Sequence, residues 1–100
     1  MATYYPEKEM VKIMHDLHIA PEDGKVDGSE AARILTWRAK EEHRVEYEYD
    51  PTAIRQHMKT ERLKPEDVDT TNPRRNMYKY EAIFRLPISP RRGAARRKVS

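Results

Sequence analysis

Residues 50–63 read DPTAIRQHMKTERL, and the reading of this stretch decides how the rest of the chain is organised. Asp50 is of the type that caps a helix by accepting from the first free N–H groups. Pro51 follows at the position where a missing N–H costs nothing. Ile54 and Met58, four apart, supply a narrow apolar stripe on a helix expected over 51–60, and Leu63 closes the unit just past its end. Thr52, Arg55, Gln56 and Lys59 fall on the opposite side at helical spacing. Arg pairs with guanine, Gln with adenine and Lys with phosphate, so this outward face has the chemistry of a helix that reads the major groove of DNA. A solvated helix also has a polar outer face, and the rest of the chain has to separate the two.

Charge does part of that. The 100 residues carry a net charge of +3, unevenly spread. Residues 1–50 hold seven Lys/Arg against twelve Asp/Glu, whereas residues 51–100 hold thirteen against five. The sign changes where the outward-facing helix begins. A basic half beside an acidic half is the footprint of a polyanion-binding surface with its acidic part turned away. Apolar and charged residues each make up 37%, so the chain can build one thin core and not two. With no cysteine, disulfides and thiolate metal sites are excluded, which fits a reducing compartment without establishing one. No apolar run approaches a membrane span, and the start MATYYPEKEM lacks a signal-peptide pattern. The expectation is a cytoplasmic protein of bacterial, plasmid or phage origin, with no membrane contact.

Upstream, residues 6–19 read as a helix with Met10, Ile13, Met14 and Leu17 on one face. Glu7 and Glu9 sit near its positive end, and His15 and His18 near its negative end. After the punctuated loop APEDGK, Asp27 and Glu30 have the spacing of a capping box. The helix that follows, 28–43, is expected to bury Ala31, Ile34, Leu35 and Ala39, with Trp37 at the flank and a solvated Lys40-Glu41-Glu42 end. Val45, Tyr47 and Tyr49 alternate with Arg44, Glu46 and Glu48, the period of a short half-buried strand. Residues 64–75 are turn-rich, with Asn72-Pro73 at a loop tip. Over 77–88 the alternation of Tyr78, Tyr80, Ala82, Phe84, Leu86 and Ile88 favours a strand, while Tyr80, Ile83 and Phe84 also suit a helix. A strand at 76–80 leading into a helical turn at 81–86 satisfies both, and strand and helix stay open over 81–88. The segment from 89 onward, SPRRGAARRKVS, offers Arg91, Arg92, Arg96, Arg97 and Lys98 and little to bury.

In this order, GSEAARIL at 28–35 resembles the first helix of the excisionase and MerR-like winged helix-turn-helix superfamily. TAIRQHMKTERL at 52–63 resembles its second helix and exit, and RRNMYKYE at 74–81 its returning wing strand. The similarity spans 26–86. It implies a mainly α fold with a small β-hairpin, a winged helix-turn-helix preceded by an extra N-terminal helix. The chain then divides into an N-terminal helix and loop (1–24), the winged domain (25–88) and a basic tail (89–100). The resemblance implies a sequence-specific double-stranded DNA-binding protein, a transcription regulator or an excisionase-like factor. Helix 51–60 would enter the major groove and wing 64–80 would hold the backbone. Thr52, Arg55, Gln56 and Lys59 would then face bases and phosphates, Arg74 and Arg75 would sit on the wing, and Ser29 would meet a phosphate at the start of its helix. The tail arginines would add charge without sequence preference. Two departures stand out: residues 36–50 lengthen the connection between the helices, and Glu61 replaces the usual glycine after the second.

Other chemistry has less behind it. His15 and His18, three apart, could hold a metal with Asp16 or Glu22; the alternative is that two helix-end histidines complement the helix dipole. Glu46, Glu48 and Asp50 share a face, but no nucleophile–base pair or phosphate loop accompanies them, so neither an enzyme nor a cofactor is expected. Tyr47, Tyr49, Tyr78 and Tyr80 could stack on single-stranded bases. The competing class is a small phage or plasmid protein-interaction module, an inhibitor or adaptor that docks through the acidic first half at Glu41, Glu42, Glu46 and Glu48. A homodimer, assembled through the helix at 10–17 or another surface, or cooperative assembly on DNA, fits the first class.

Overall fold

The computed structural model describes residues 5–59 (backbone only at 57–59), 63–72 and 74–88. Helix α1 (Glu7–Asp16) buries Met10, Ile13 and Met14, the stripe its spacing predicts. It ends short of residue 19. His18 turns left-handed at φ 60, and the Ile19 N–H returns to the Met14 carbonyl at 2.8 Å, which carries Ile19 into the core. A tight turn follows with positive φ at Asp23 and Gly24, closed by paired Glu22 and Lys25 backbone bonds. Strand β1 (Lys25–Asp27) runs directly into helix α2 (Gly28–His43).

Helix α2 has the bounds expected from sequence, and the reason is its cap. Asp27 Oδ1 accepts the Glu30 N–H at 2.8 Å while Glu30 Oε1 accepts the Asp27 N–H at 3.0 Å, so two otherwise orphaned donors are satisfied reciprocally. At the far end Arg44 takes the left-handed conformation, φ 57, and its N–H closes on the last carbonyls. Helix α3 (Pro51–Lys59) starts at Asp50, whose Oδ1 accepts the Ala53 N–H at 3.2 Å. Ile54 is fully buried, and Leu63 is buried beyond the helix.

A 3-10 turn (Pro65–Asp67) leads into the two-residue strand β2 (Val68–Asp69). Strand β3 (Met77–Lys79) passes without a loop into helix α4 (Tyr80–Arg85), so the open stretch at 81–88 is helical as far as residue 85 and neither helix nor strand at 86–88. Both strand pairings of this sheet are antiparallel and β3 is central, in the order β1–β3–β2. Tyr78 lies between Val26 and Val68, a row of inward side chains across the sheet. Lys25 Nζ reaches over the central strand to Asp69 Oδ2 at 3.0 Å. The chain is therefore mainly helical with a small three-stranded antiparallel sheet, and α1, β1, α2, α3, β3 and α4 all contribute to one core cluster.

Two expectations are corrected. Residues 45–49 form no strand among the described residues. Their alternation is real in burial, with Val45, Tyr47 and Tyr49 half-buried, and Tyr47 makes an isolated β-bridge, but the backbone at both ends of the segment bonds to α2, beginning with the Val45 N–H to the Ala39 carbonyl. The Tyr49 N–H is taken by Thr36 Oγ1 at 2.9 Å, and Tyr47 and Tyr49 meet edge to face at 4.6 Å. Glu42 is the second, because it is drawn inside and not solvated. Arg38 is 3% exposed; its Nε meets Glu42 Oε2 at 2.7 Å and its Nη1 donates to the Ile83 carbonyl at 2.7 Å. Tyr5 donates its hydroxyl to the same Glu42 carboxylate and packs on Phe84.

Candidate nucleic-acid interface

The start of α2, the start of α3 and the turn before β3 meet around a groove of about 260 Å³. Gly28, Ser29, Pro51, Arg55, Arg74 and Arg75 are among the residues that line it. Each is brought there by a local device. The capping box fixes the first turn of α2, with Ser29 exposed on it. The first turns of the two helices touch, since a methyl group at Gly28 would stand 3.5 Å from Pro51 Cβ. One turn into α3, Arg55 is exposed. At the hairpin, Asn72 Oδ1 accepts the Arg74 N–H at 2.9 Å and the Asn72 carbonyl accepts the Arg75 N–H at 3.3 Å. That turn aims both arginines at the groove, and buried Tyr78 contributes to its wall.

Three guanidinium groups thus converge where a helix N-terminus adds partial positive charge. Two carboxylates modify this. Asp27 Oδ2 lies 3.4 Å from Arg75 Nη1, and Glu22 Oε1 lies 3.9 Å from Arg75 Nη2. Among the described residues, no ion pair engages the Arg55 or Arg74 side chain. Such a surface can hold a phosphate with Arg74 and Arg75 and turn Arg55 toward base edges.

Of the residues singled out from sequence, Ser29, Arg55, Arg74 and Arg75 line the groove. Thr52 and Gln56 are exposed on α3 beside it. The Lys59 side chain and the tail residues Arg91, Arg92, Arg96, Arg97 and Lys98 lie outside the described residues, as does Glu61. Sequence reasoning missed Asp27 and Glu22 as partners of the wing, because an ion pair between distant segments leaves no mark in spacing.

The remaining candidates do not assemble. Among the described residues, no three His, Asp or Glu side chains gather as a metal site, and His15 and His18 are both exposed. Tyr47 and Tyr49 belong to the connector, Tyr78 is buried in the sheet, and Tyr80 donates to Glu7 from α4, so the four share no stacking face. Glu41, Glu46 and Glu48 are exposed without Glu42. The α1 stripe at Met10, Ile13 and Met14 is used inside the fold and is not open to a second copy. A second cleft, also about 260 Å³, mixes Lys64 and Arg85 with Glu66 and Asp67 and presents no single sign of charge. No described helix is long and apolar enough to cross a membrane. No family model, no curated protein and no solved structure matches this chain.

Proposed function

We propose that this protein binds double-stranded DNA as a winged helix-turn-helix, with α3 in the major groove and the β2–β3 hairpin on the backbone. The observation that carries the reading is the convergence of Ser29, Arg55, Arg74 and Arg75 on one groove from three separate segments. Arg75 is placed there by its carboxylate partners, but no ion pair among the described residues accounts for the position of Arg55 or Arg74. Further support comes from the order of elements: a capped helix, a second helix packed on its first turn, then an antiparallel hairpin with two arginines at its turn. Arg55 and Gln56 lie at the middle of α3, both exposed, and each can make paired bonds to one base. Ser29, Arg74, Arg75 and Lys59 hold phosphates, while Thr52 lies at the leading turn of the same helix.

The test is selection of bound duplexes from a random pool with the wild type and with Gln56→Ala. The wild type should enrich a motif. Gln56→Ala should cost ~1–3 kcal/mol on that motif and far less on random DNA. If the wild type enriches nothing and shows no salt-dependent retention of duplex, DNA binding is lost as a reading. The exposed acidic residues Glu41, Glu46 and Glu48, as a protein-docking surface, then take its place.

A further inference from the structure

Arg75 differs from its neighbour Arg74 in one respect. Both flank the groove, yet Arg75 is already engaged by Asp27 at 3.4 Å and Glu22 at 3.9 Å. Asp27 cannot turn away easily, because its other carboxylate oxygen caps α2 through the Glu30 N–H. The cap therefore does two things at once: it fixes the helix start and presents Oδ2 to the hairpin. Glu22 approaches from the tight turn before β1, with its side chain 77% exposed, so it is free to leave. The three residues come from three segments, and the contact ties the hairpin to the N-terminal end of α2.

We infer that Glu22 and Asp27 form an acidic clasp that occupies Arg75 in the free protein and competes with a polyanion for it. The inference rests on the proposed DNA-binding reading and adds a regulatory element to the same site. Arg74 offers its charge at all times, whereas Arg75 offers its own only after exchanging carboxylate for phosphate. The exchange lowers the affinity for any duplex and keeps the hairpin in place until one arrives. A half-exposed guanidinium limits the strength of the clasp to that of a surface pair, about a two- to five-fold effect on binding.

Two measurements test this. In the DNA-free protein, exchange of the Arg75 guanidinium protons with water, followed by NMR, should accelerate in Glu22→Gln and in Asp27→Asn. Unchanged exchange in both variants overturns the clasp whatever the protein binds. In titrations with a random-sequence duplex, Glu22→Gln should bind about two- to five-fold more tightly. Its log–log salt slope should match that of the wild type, because Arg75 holds the same phosphate in both complexes, whereas Arg75→Ala should flatten the slope by about 0.9, one phosphate contact. Arg75→Ala should abolish most of that gain, with melting temperature monitored to exclude unfolding. If Glu22→Gln gains equally with and without Arg75, the carboxylate acts as a general repulsive charge and the competition is refuted. If exchange accelerates but the wild type retains no duplex, the proposed function fails, and competition for a polyanion fails with it.

Discussion

Arg38 and Glu42 stand one turn apart on α2 and meet at 2.7 Å inside the domain, with side chains 3% and 10% exposed. Their pairing binds three parts of the fold, since Arg38 also donates to the Ile83 carbonyl on α4 and Glu42 accepts from Tyr5. Truncating one partner leaves the other charge desolvated and alone. Arg38→Ala should therefore destabilise by ~3–5 kcal/mol in urea unfolding. The paired replacement Arg38→Met with Glu42→Leu should recover most of the loss, because two packed apolar side chains leave no orphaned charge.

Acid should act on the same contact. Burial raises the Glu42 carboxyl, but the bonds from Arg38 and Tyr5 and the Arg38 charge outweigh it and hold the group below its ordinary 4.5. Its stabilisation is present above that ordinary value and is lost as pH falls through the lower folded one. Asp69 behaves alike, held low by the Thr71 hydroxyl and N–H and by Lys25. Glu42→Gln should flatten the acid limb of a stability–pH curve, and a limb of unchanged slope would remove Glu42 from its cause.

The alkaline limb has different owners. Tyr49 is pushed up to about 12, first by burial, and Tyr80 to about 12, first by its hydrogen bond to Glu7. Both favour the protonated phenol in the folded state, so their stabilisation is complete below the ordinary value of 10.0 and is lost as pH rises toward about 12. Phenolate absorbance should show these two tyrosines titrating late, together with loss of helical circular dichroism. Glu7→Gln should bring the Tyr80 transition down without moving that of Tyr49.

Ile54 is the inward anchor of α3. Ile54→Ala should cost ~2–5 kcal/mol, read by chemical denaturation. Arg55→Ala, one residue on and exposed, should leave stability within about 0.5 kcal/mol of wild type. A large loss at Arg55 would mean that its side chain holds the fold together and is not reserved for a ligand.

Asp27 carries the cap, and Asp27→Ala should lower stability by ~0.5–2 kcal/mol in thermal unfolding. Asp27→Ser retains a hydroxyl acceptor and should lose less. If alanine and serine are equally costly, the contact with Arg75 outweighs the cap.

Local rules made α2 legible: a reciprocal cap at Asp27 and Glu30 and a 3.6-residue stripe are both written in neighbouring residues. The same holds for the start of α3 at Asp50-Pro51. The connector at 45–49 misled because alternation reports which side chains are covered, and here it marks an extended segment bonded to α2 through Thr36, with a single isolated bridge at Tyr47 and no strand. Strand β1 was invisible because three residues are too few to show a period. Arg38 did leave a signal, since it falls at the spacing of Ala31, Ile34 and Leu35 with an acid four residues on. An arginine on an apolar stripe with such a partner is a buried pair and not a solvated face. The groove was legible as residue types but not as a place, because its walls come from segments far apart in the chain.

The sheet order has a consequence for how this chain is made. The central strand, β3, is the last of the three to be synthesised, and β1 and β2 do not pair with each other. While the ribosome is still adding residues, neither early strand has a partner, and Val26 and Val68 lack the Tyr78 ring that separates them. Closing the long loop from Lys25 to Lys79 has to precede any reward from the ladder, which places sheet formation late and links it to arrival of α4. A polypeptide stopped before Met77 carries the capping signals of α2 but lacks the strand with which both early strands pair, and so cannot form the hairpin.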